Sequence, residues 1–239
     1  MKKTLALVLA LVLVLAGLVS VASAEEVKVL TYEEFVAAEV DTEVTVETYV
    51  QAKESWWDNK ASIHTQAPDG AYYLYEMPCT QEEFDQLVPG TKIRVTGYKQ
   101  SWSGEVELGD ISKFEILEAD PFIAEALDVT ALLGTDELAE HINQFVCFKG
   151  LTVAAKDENG TACFYGWDNS GDRDSADPYF DVTLNDATYS FTVRRYLTDN
   201  TTDVFKAAEA LKVGDVIDVE GFLYWYEGPQ PHVTAITVK

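Results

Sequence analysis

The sequence predicts an all-β protein with short helices, arranged as two small five-stranded Greek-key barrels in tandem. One pattern occurs in both halves of the chain: a glycine, an alternating strand, a second glycine seven residues on, and an aromatic residue, at 90–98 and 214–222. Each copy continues into a tryptophan-bearing segment and a last alternating strand, at 111–117 and 233–238. Alternation of apolar and polar residues is typical of half-buried strands. A hydrophobic content of 47% favours a folded core over disorder.

A helix-like segment precedes the first glycine of each copy. Thr80 and Glu83 form a capping box that predicts where the first of these helices starts. Thr31 and Glu34 form a second capping box and predict a short helix before the first strand. The apolar positions of the two segments lie three and four residues apart: Phe84, Leu87 and Val88 in the first, Val204, Ala208 and Leu211 in the second.

Three strands precede the helix in each half, so each half has the order strand, strand, strand, helix, strand, strand. We expect these strands at 44–52, 62–66 and 72–77 in the first half, and at 145–155, 162–167 and 180–193 in the second. An acidic insertion separates the last two. The order resembles the OB-fold, a five-stranded Greek-key barrel. The predicted divisions are a leader over 1–24, a first barrel over 25–118, a linker over 119–130 and a second barrel over 131–239.

The chain begins with the three parts of a secretory signal peptide. Lys2 and Lys3 are followed by an apolar run over 5–19 and a small-residue cleavage site, Ala22-Ser23-Ala24. The alternative is an uncleaved anchor, for which the run is short. We expect a secreted protein, extracellular or periplasmic, that is monomeric and off the membrane after cleavage.

The net charge restricts the partners. It is −24 at pH 7, and cleavage after Ala24 would remove Lys2 and Lys3 and no acidic residue, making the charge more negative still. Such a surface repels phosphate backbones. It favours neutral ligands, proteins or cations.

The three cysteines, Cys79, Cys147 and Cys163, do not form a disulfide framework. Buried thiols are the simpler interpretation. A disulfide between Cys147 and Cys163 is the alternative, and it requires that their strands are neighbours.

The sequence contains none of the common catalytic motifs, such as G-x-S-x-G, H-E-x-x-H or a P-loop. The three histidines are isolated from one another along the chain. We therefore predict a protein that is not an enzyme.

Aromatic residues suggest a binding site. The resemblance to the OB-fold implies that a ligand lies across strands two and three, between the loops that join strands one to two and four to five. The predicted ligand-binding residues lie at these places: Trp56, Trp57, Tyr73, Tyr75 and Trp102 in the first barrel, and Trp225 in the second. Flat rings stack on bases or on the apolar faces of sugars. The alternative is that these rings cap the barrel ends.

The acidic insertion places oxygen-bearing side chains at alternate positions, as a Ca²⁺ loop does. The predicted metal ligands are Asp168, Asp172 and Asp174. The spacing resembles the start of an EF-hand loop, but Arg173 replaces the required glycine and Tyr179 the closing glutamate. A solvated hairpin loop is the alternative, and we expect no other cofactor.

The leading hypothesis is a secreted, non-catalytic binding protein whose ligand is an oligosaccharide or a partner protein. Single-stranded nucleic acid is the alternative ligand, because five basic residues cluster around the predicted face of the first barrel: Lys53, Lys60, Lys92, Arg94 and Lys99. A structural spacer is the third hypothesis.

Overall fold

A computed structural model describes residues 27–239 of the chain. The predicted signal peptide lies outside these residues. Along the described part, none of the helices combines the length and apolar character that a membrane crossing requires.

The first barrel closes with the strand order β1-β2-β3-β5-β4. Among its five strands, β3 and β5 pair in parallel and all other neighbours are antiparallel. This is the five-stranded OB-like arrangement that the sequence predicts. Its elements are α1 (Tyr32–Ala37), β1 (Glu43–Lys53), β2 (Lys60–Ala67), β3 (Gly70–Pro78), α2 (Gln81–Gln86), β4 (Lys92–Trp102) and β5 (Glu105–Leu117).

The second barrel has the same strand order. The sheet runs β6-β7-β11-β12-β10-β9-β8, and pairing of β7 with β9 closes five of these strands into a ring. Two short 3-10 helices, Thr130–Leu132 and Asp136–His141, precede the ring. Its other elements are β6 (Leu127–Asp128), β7 (Phe145–Val153), β8 (Cys163–Tyr165), β9 (Pro178–Leu184), β10 (Ala187–Thr192), α3 (Asp203–Ala210), β11 (Val216–Phe222) and β12 (His232–Val238).

The second and third strands of this barrel differ from the prediction. Residues 180–193 were expected to form one strand, but they form most of the β9–β10 hairpin, which turns at Asn185 and Asp186. Both turn residues have positive φ, as a two-residue hairpin requires. The stretch predicted as strand two is the added edge strand β8 instead. Asparagine and aspartate tolerate a positive φ well. Because strand-forming residues flank them on both sides, the sequence pattern predicts one continuous strand instead of a hairpin.

The predicted capping boxes and the glycines of the repeated pattern are confirmed. Both capping boxes form, with the side chains of Glu34 and Glu83 accepting from the backbone N–H of Thr31 and Thr80. At the second glycine of each copied pattern, Gly97 and Gly221, a β-bulge brings another strand close. A Cβ at Gly221 would lie 2.4 Å from the carbonyl oxygen of His232, so no larger residue fits there.

All three cysteines are free thiols. Cys147 lies on β7 and Cys163 on β8, and β9 runs between these two strands. The disulfide between them is therefore not formed.

The second barrel packs on the outer face of β2 and β3. Ile63 and Leu74 on these strands point into the core of the first barrel, whereas the alternate residues His64 and Tyr73 point outwards. His64 stacks on Phe222 of β11, with ring centroids 4.3 Å apart and planes within 9°. The face where the OB-fold resemblance places a ligand is thus covered in its middle by the second barrel.

Candidate functional site

An open cleft of about 570 Å³ lies at the edge of this covered face. One wall is the connection from β1 to β2 with the ends of β2 and β3, and the other is the segment after β10. The cleft therefore combines both barrels. Its lining residues are Glu54, Ser55, Trp56, Trp57, Lys60, Ala61, Ser62, Tyr75, Glu76, Arg194, Arg195, Tyr196 and Asp199.

The β1–β2 connection is held in a defined shape. The backbones of Trp57 and Lys60 exchange hydrogen bonds of 2.9 and 3.0 Å across Asp58 and Asn59, which both have positive φ. This is the geometry of a type I′ turn. Trp57 lies at the entry to this turn and is 67% exposed beside the cleft.

The facing wall is joined to the β1–β2 connection by hydrogen bonds to one of its backbone carbonyls. The N–H of Ser55 donates to the carbonyl oxygen of Tyr196 at 2.7 Å, and the Ser55 hydroxyl donates to the same oxygen at 3.1 Å. The Tyr196 ring is 53% exposed. The Trp56 ring is partly buried against the first core, and its indole N–H donates to the carbonyl of Cys79. The walls thus hold three exposed rings, Trp57 and Tyr75 on one side and Tyr196 on the other.

Each cation of the cleft has an oxygen partner. Lys60 pairs with Glu76 at 2.7 Å. Arg194 contacts Glu54 at 3.2 Å and Asp177 at the same distance. Arg195 donates to the carbonyl of Asp174. The cleft is therefore polar, and carboxylates of the protein itself offset the charge of Lys60 and Arg194, whereas Arg195 bonds a neutral carbonyl.

The structure places three of the six predicted ligand-binding residues in this cleft: Trp56, Trp57 and Tyr75. Tyr73 is buried between the barrels, where its hydroxyl donates to Glu54 at 3.1 Å. Trp225 contacts the β4–β5 hairpin: its backbone N–H donates to Glu105 at 2.8 Å, and its indole lies against Gly104.

Trp102 is 60% exposed on the β4–β5 hairpin and does not line the cleft. Sequence reasoning missed Arg194, Arg195 and Tyr196, which form the opposite wall. An aromatic residue after two arginines at a strand end was a visible local signal. Its placement opposite Trp57 depends on how the barrels dock.

The five basic residues that suggested nucleic-acid binding are all engaged by oxygen atoms. Lys92 and Arg94 pair with Glu47, and Arg94 also pairs with Glu115. Lys99 is buried and donates to three carbonyls at the end of α1. Lys53 donates to the carbonyl of Phe84. With Lys60 in its pair with Glu76, none of the five extends into the cleft as a free cation.

The interface between the barrels is unusually polar for a buried surface. Glu105 is fully buried, and burial raises the pKa of its carboxyl to about 8. Burial raises the pKa of Glu107 to about 7. The side chains of Glu105 and Asn143 are neighbours, and each has one buried oxygen that accepts no hydrogen bond from the part of the chain that the structure describes. A proton on Glu105 would satisfy both oxygens, which agrees with a neutral carboxyl at pH 7.

The acidic insertion uses its carboxylates locally. Asp168 accepts from the backbone and hydroxyl of Ser170, and Asp172 accepts from the backbone and hydroxyl of Ser175. Asp174 lies in reach of Arg173 at 3.8 Å. These bonds are typical of a solvated turn. A Ca²⁺ site at Asp168, Asp172 and Asp174 stays a prediction from the sequence.

No protein-family model matches this chain, and no curated protein matches it. The HINb domain of p204 is similar to it over 84% of this chain and 100% of that domain, at 11% identity and a TM-score of 0.36. A deletion mutant of the single-stranded DNA-binding protein from Thermus aquaticus aligns with 84% of this chain and 95% of its own, at 12% identity and a TM-score of 0.28.

The hypothetical protein ygiW from E. coli aligns with 38% of this chain and 90% of its own, at 16% identity and a TM-score of 0.29. Since these scores are low, the OB-like fold is assigned from the strand order of the chain itself. The ligands of these proteins are not assigned to this chain.

Proposed function

We propose that this chain is a secreted, non-catalytic protein that binds a neutral oligosaccharide in the cleft between its barrels. The observation that carries the proposal is the composition of the cleft: exposed aromatic rings beside charged side chains that already have hydrogen-bond partners within the protein. Aromatic rings provide flat apolar surface with little loss of conformational entropy on binding. The paired charges provide donors and acceptors for sugar hydroxyls without demanding a charged ligand.

The paired cations also favour a neutral ligand over nucleic acid. A single-stranded nucleic acid is held by a positively charged groove that follows its backbone. Here Lys60 and Arg194 would have to leave Glu76 and Glu54 before they could bind phosphate. The net charge of −24 adds long-range repulsion.

A non-catalytic role is supported by the state of the cleft carboxylates. Glu54 is bound by Arg194 and Tyr73, Glu76 by Lys60, and Asp199 by the hydroxyl of Thr201. General acid–base catalysis calls for a carboxyl free to exchange a proton with the substrate. Secretion is supported by the signal-peptide pattern over residues 1–24.

A binding array that carries glycans and single-stranded DNA and RNA, read at low and physiological salt, tests the ligand class. We expect glycan binding that changes little with salt. For the glycan found, Trp57→Ala and Tyr196→Ala should each weaken binding at least about tenfold, equivalent to about 1.4 kcal/mol. Trp102→Ala is the matched control, since Trp102 is exposed to a similar degree, 60% against 67% for Trp57, but lies outside the cleft.

Binding to oligonucleotides that falls steeply with salt would replace the oligosaccharide by nucleic acid as the ligand. Binding that survives both Trp57→Ala and Tyr196→Ala would remove the cleft as the site. No binding to any glycan or oligonucleotide would favour a partner protein.

A further inference from the structure

Two histidines from different barrels meet in the buried interface. His64 lies on β2 and His232 begins β12, and both are at least 96% buried. Their nitrogens, Nε2 of His64 and Nδ1 of His232, are 3.3 Å apart. His64 stacks on Phe222, and His232 stacks on Tyr224 with centroids 4.4 Å apart. The two rings are therefore fixed with their nitrogens facing each other.

This nitrogen pair leaves one buried atom unsatisfied. Nδ1 of His64 is buried and has no hydrogen-bond partner within residues 27–239. A neutral imidazole carries one N–H, so a proton on Nδ1 would leave Nε2 as a lone pair facing His232. A nitrogen separation of 3.3 Å also equals the edge of a tetrahedron with metal–nitrogen bonds of about 2.0–2.1 Å.

A carboxylate completes a set of three ligands. One oxygen of Glu54 and one nitrogen of each histidine all lie within 4.8 Å of one another. Glu54 is held by Tyr73 and Arg194, which both bond its Oε1 atom and leave the other oxygen for coordination. Hydrogen bonds of this kind, from outside the ligand set, orient ligands in metal sites.

The charge around this cluster is compatible with a dication. The Arg194 guanidinium is close, but it also pairs with Asp177 at 3.2 Å, so two carboxylates accompany one cation. Glu54 and Arg194 also line the open cleft, so the cluster borders solvent at its carboxylate ligand.

We propose that Glu54, His64 and His232 form a binding site for a divalent transition metal of the zinc type, which joins the two barrels. Two histidines and one carboxylate form the ligand set that zinc takes in many proteins. This proposal does not depend on the oligosaccharide proposed for the cleft, although Glu54 belongs to both sites.

The test uses the full, tag-free chain after treatment with a chelator, titrated with Co²⁺ and then with Zn²⁺. We expect one equivalent of Co²⁺ with the intense visible absorption of tetrahedral coordination, displaced by Zn²⁺. Saturating Zn²⁺ should raise the thermal midpoint, because the metal binds only the folded arrangement. Absence of stoichiometric uptake by the wild-type chain would overturn the proposal, and this result needs no variant.

Variants locate the site. Glu54→Gln and His232→Gln should lose the absorption or weaken Co²⁺ binding at least about tenfold, a change of about 1.4 kcal/mol. His141→Gln is the matched control, because the third histidine bonds Gln144 instead. Asp172→Asn separates the cluster from the acidic insertion. Equal binding by His232→Gln and the wild type, or loss only in Asp172→Asn, would overturn the assignment.

Discussion

The surface of β2 and β3 has two parts, the interface under the second barrel and the open cleft at its edge. Tyr73 and Tyr75 lie two residues apart on β3, with ring centroids 6.5 Å apart. Tyr73 is buried and bonds Glu54, whereas Tyr75 is exposed at the cleft. These two tyrosines on the same face of β3 thus have different roles, because the second barrel covers only Tyr73.

The two parts differ in whether water can still solvate their polar groups. In the interface, polar groups such as Glu105 and Asn143 depend on each other for hydrogen bonds. In the cleft, a pair such as Lys60 and Glu76 is also solvated. A polar group therefore costs much more to disturb in the interface than in the cleft.

The largest effect is expected from Arg194→Ala, compared with Arg94→Ala. Both arginines contact two carboxylates, and their side chains are 32% and 35% exposed. Their partners differ: Glu54 is 7% exposed and Glu47 is 23% exposed. Loss of Arg194 leaves a buried charge without its cation and should lower the free energy of unfolding by about 3 kcal/mol. Arg94→Ala should lower it by about 1 kcal/mol or less.

Urea unfolding measures both variants. Equal losses would mean that water solvates Glu54 to the same extent as Glu47. The buried interface and the exposed surface would then not differ at these two ion pairs.

The next effect is a loss of stability as the pH rises. The folded-state pKa of Glu105 is about 8 and that of Glu107 about 7, both above the usual 4.5. The folded chain therefore holds protons that the unfolded chain has lost, so stability falls as pH rises towards these values. Between pH 6.5 and pH 8, we expect the free energy of unfolding to fall by about 2 kcal/mol. Burial lowers the pKa of His64 and of His232, and these two histidines oppose the fall only in part, because half of an unperturbed imidazole is already neutral at about pH 6.5.

Glu105→Gln should remove more than half of this slope, since an amide can donate to Asn143 at any pH. Glu115→Gln, on the exposed part of β5, is the control and should leave the slope unchanged. Urea unfolding across the pH range checks this, and a wild-type profile that is flat or rises with pH would contradict a neutral Glu105.

The smallest effect is expected from Tyr73→Phe, compared with Tyr75→Phe. Tyr73→Phe removes the hydroxyl that donates to the buried Glu54 and should cost about 1.5 kcal/mol. Tyr75→Phe changes a hydroxyl at the solvated edge of the cleft and should stay within about 0.5 kcal/mol of the wild type. The midpoint of urea unfolding measures both. A larger loss for Tyr75→Phe would reverse the assignment of the two tyrosines.

Local patterns predicted much of the fold. The capping boxes at Thr31 and Thr80 depend on contacts only three residues away. The glycines at 97 and 221 depend on strand geometry that is common to such barrels. The β9–β10 hairpin was missed, because Asn185 and Asp186 are a weaker turn signal than a pair with glycine.

The candidate site was predicted in part for the same reason. Trp56, Trp57 and Tyr75 could be placed from strand order alone. Tyr196 could not, because it reaches the cleft through a hydrogen bond to Ser55 from a segment far along the chain. His64 and His232 are isolated along the chain and meet only where the barrels dock.

The sequence by itself determined the two barrels, since alternation, helix caps and glycines act within each half of the chain. Only the tertiary structure decided which parts of the barrel surfaces are buried. Docking depends on the fit of two folded faces, His64 against Phe222 and Trp225 against Gly104, and neither pair has a pattern along the chain. That fit separates Tyr73 from Tyr75, and with them the buried interface from the open cleft.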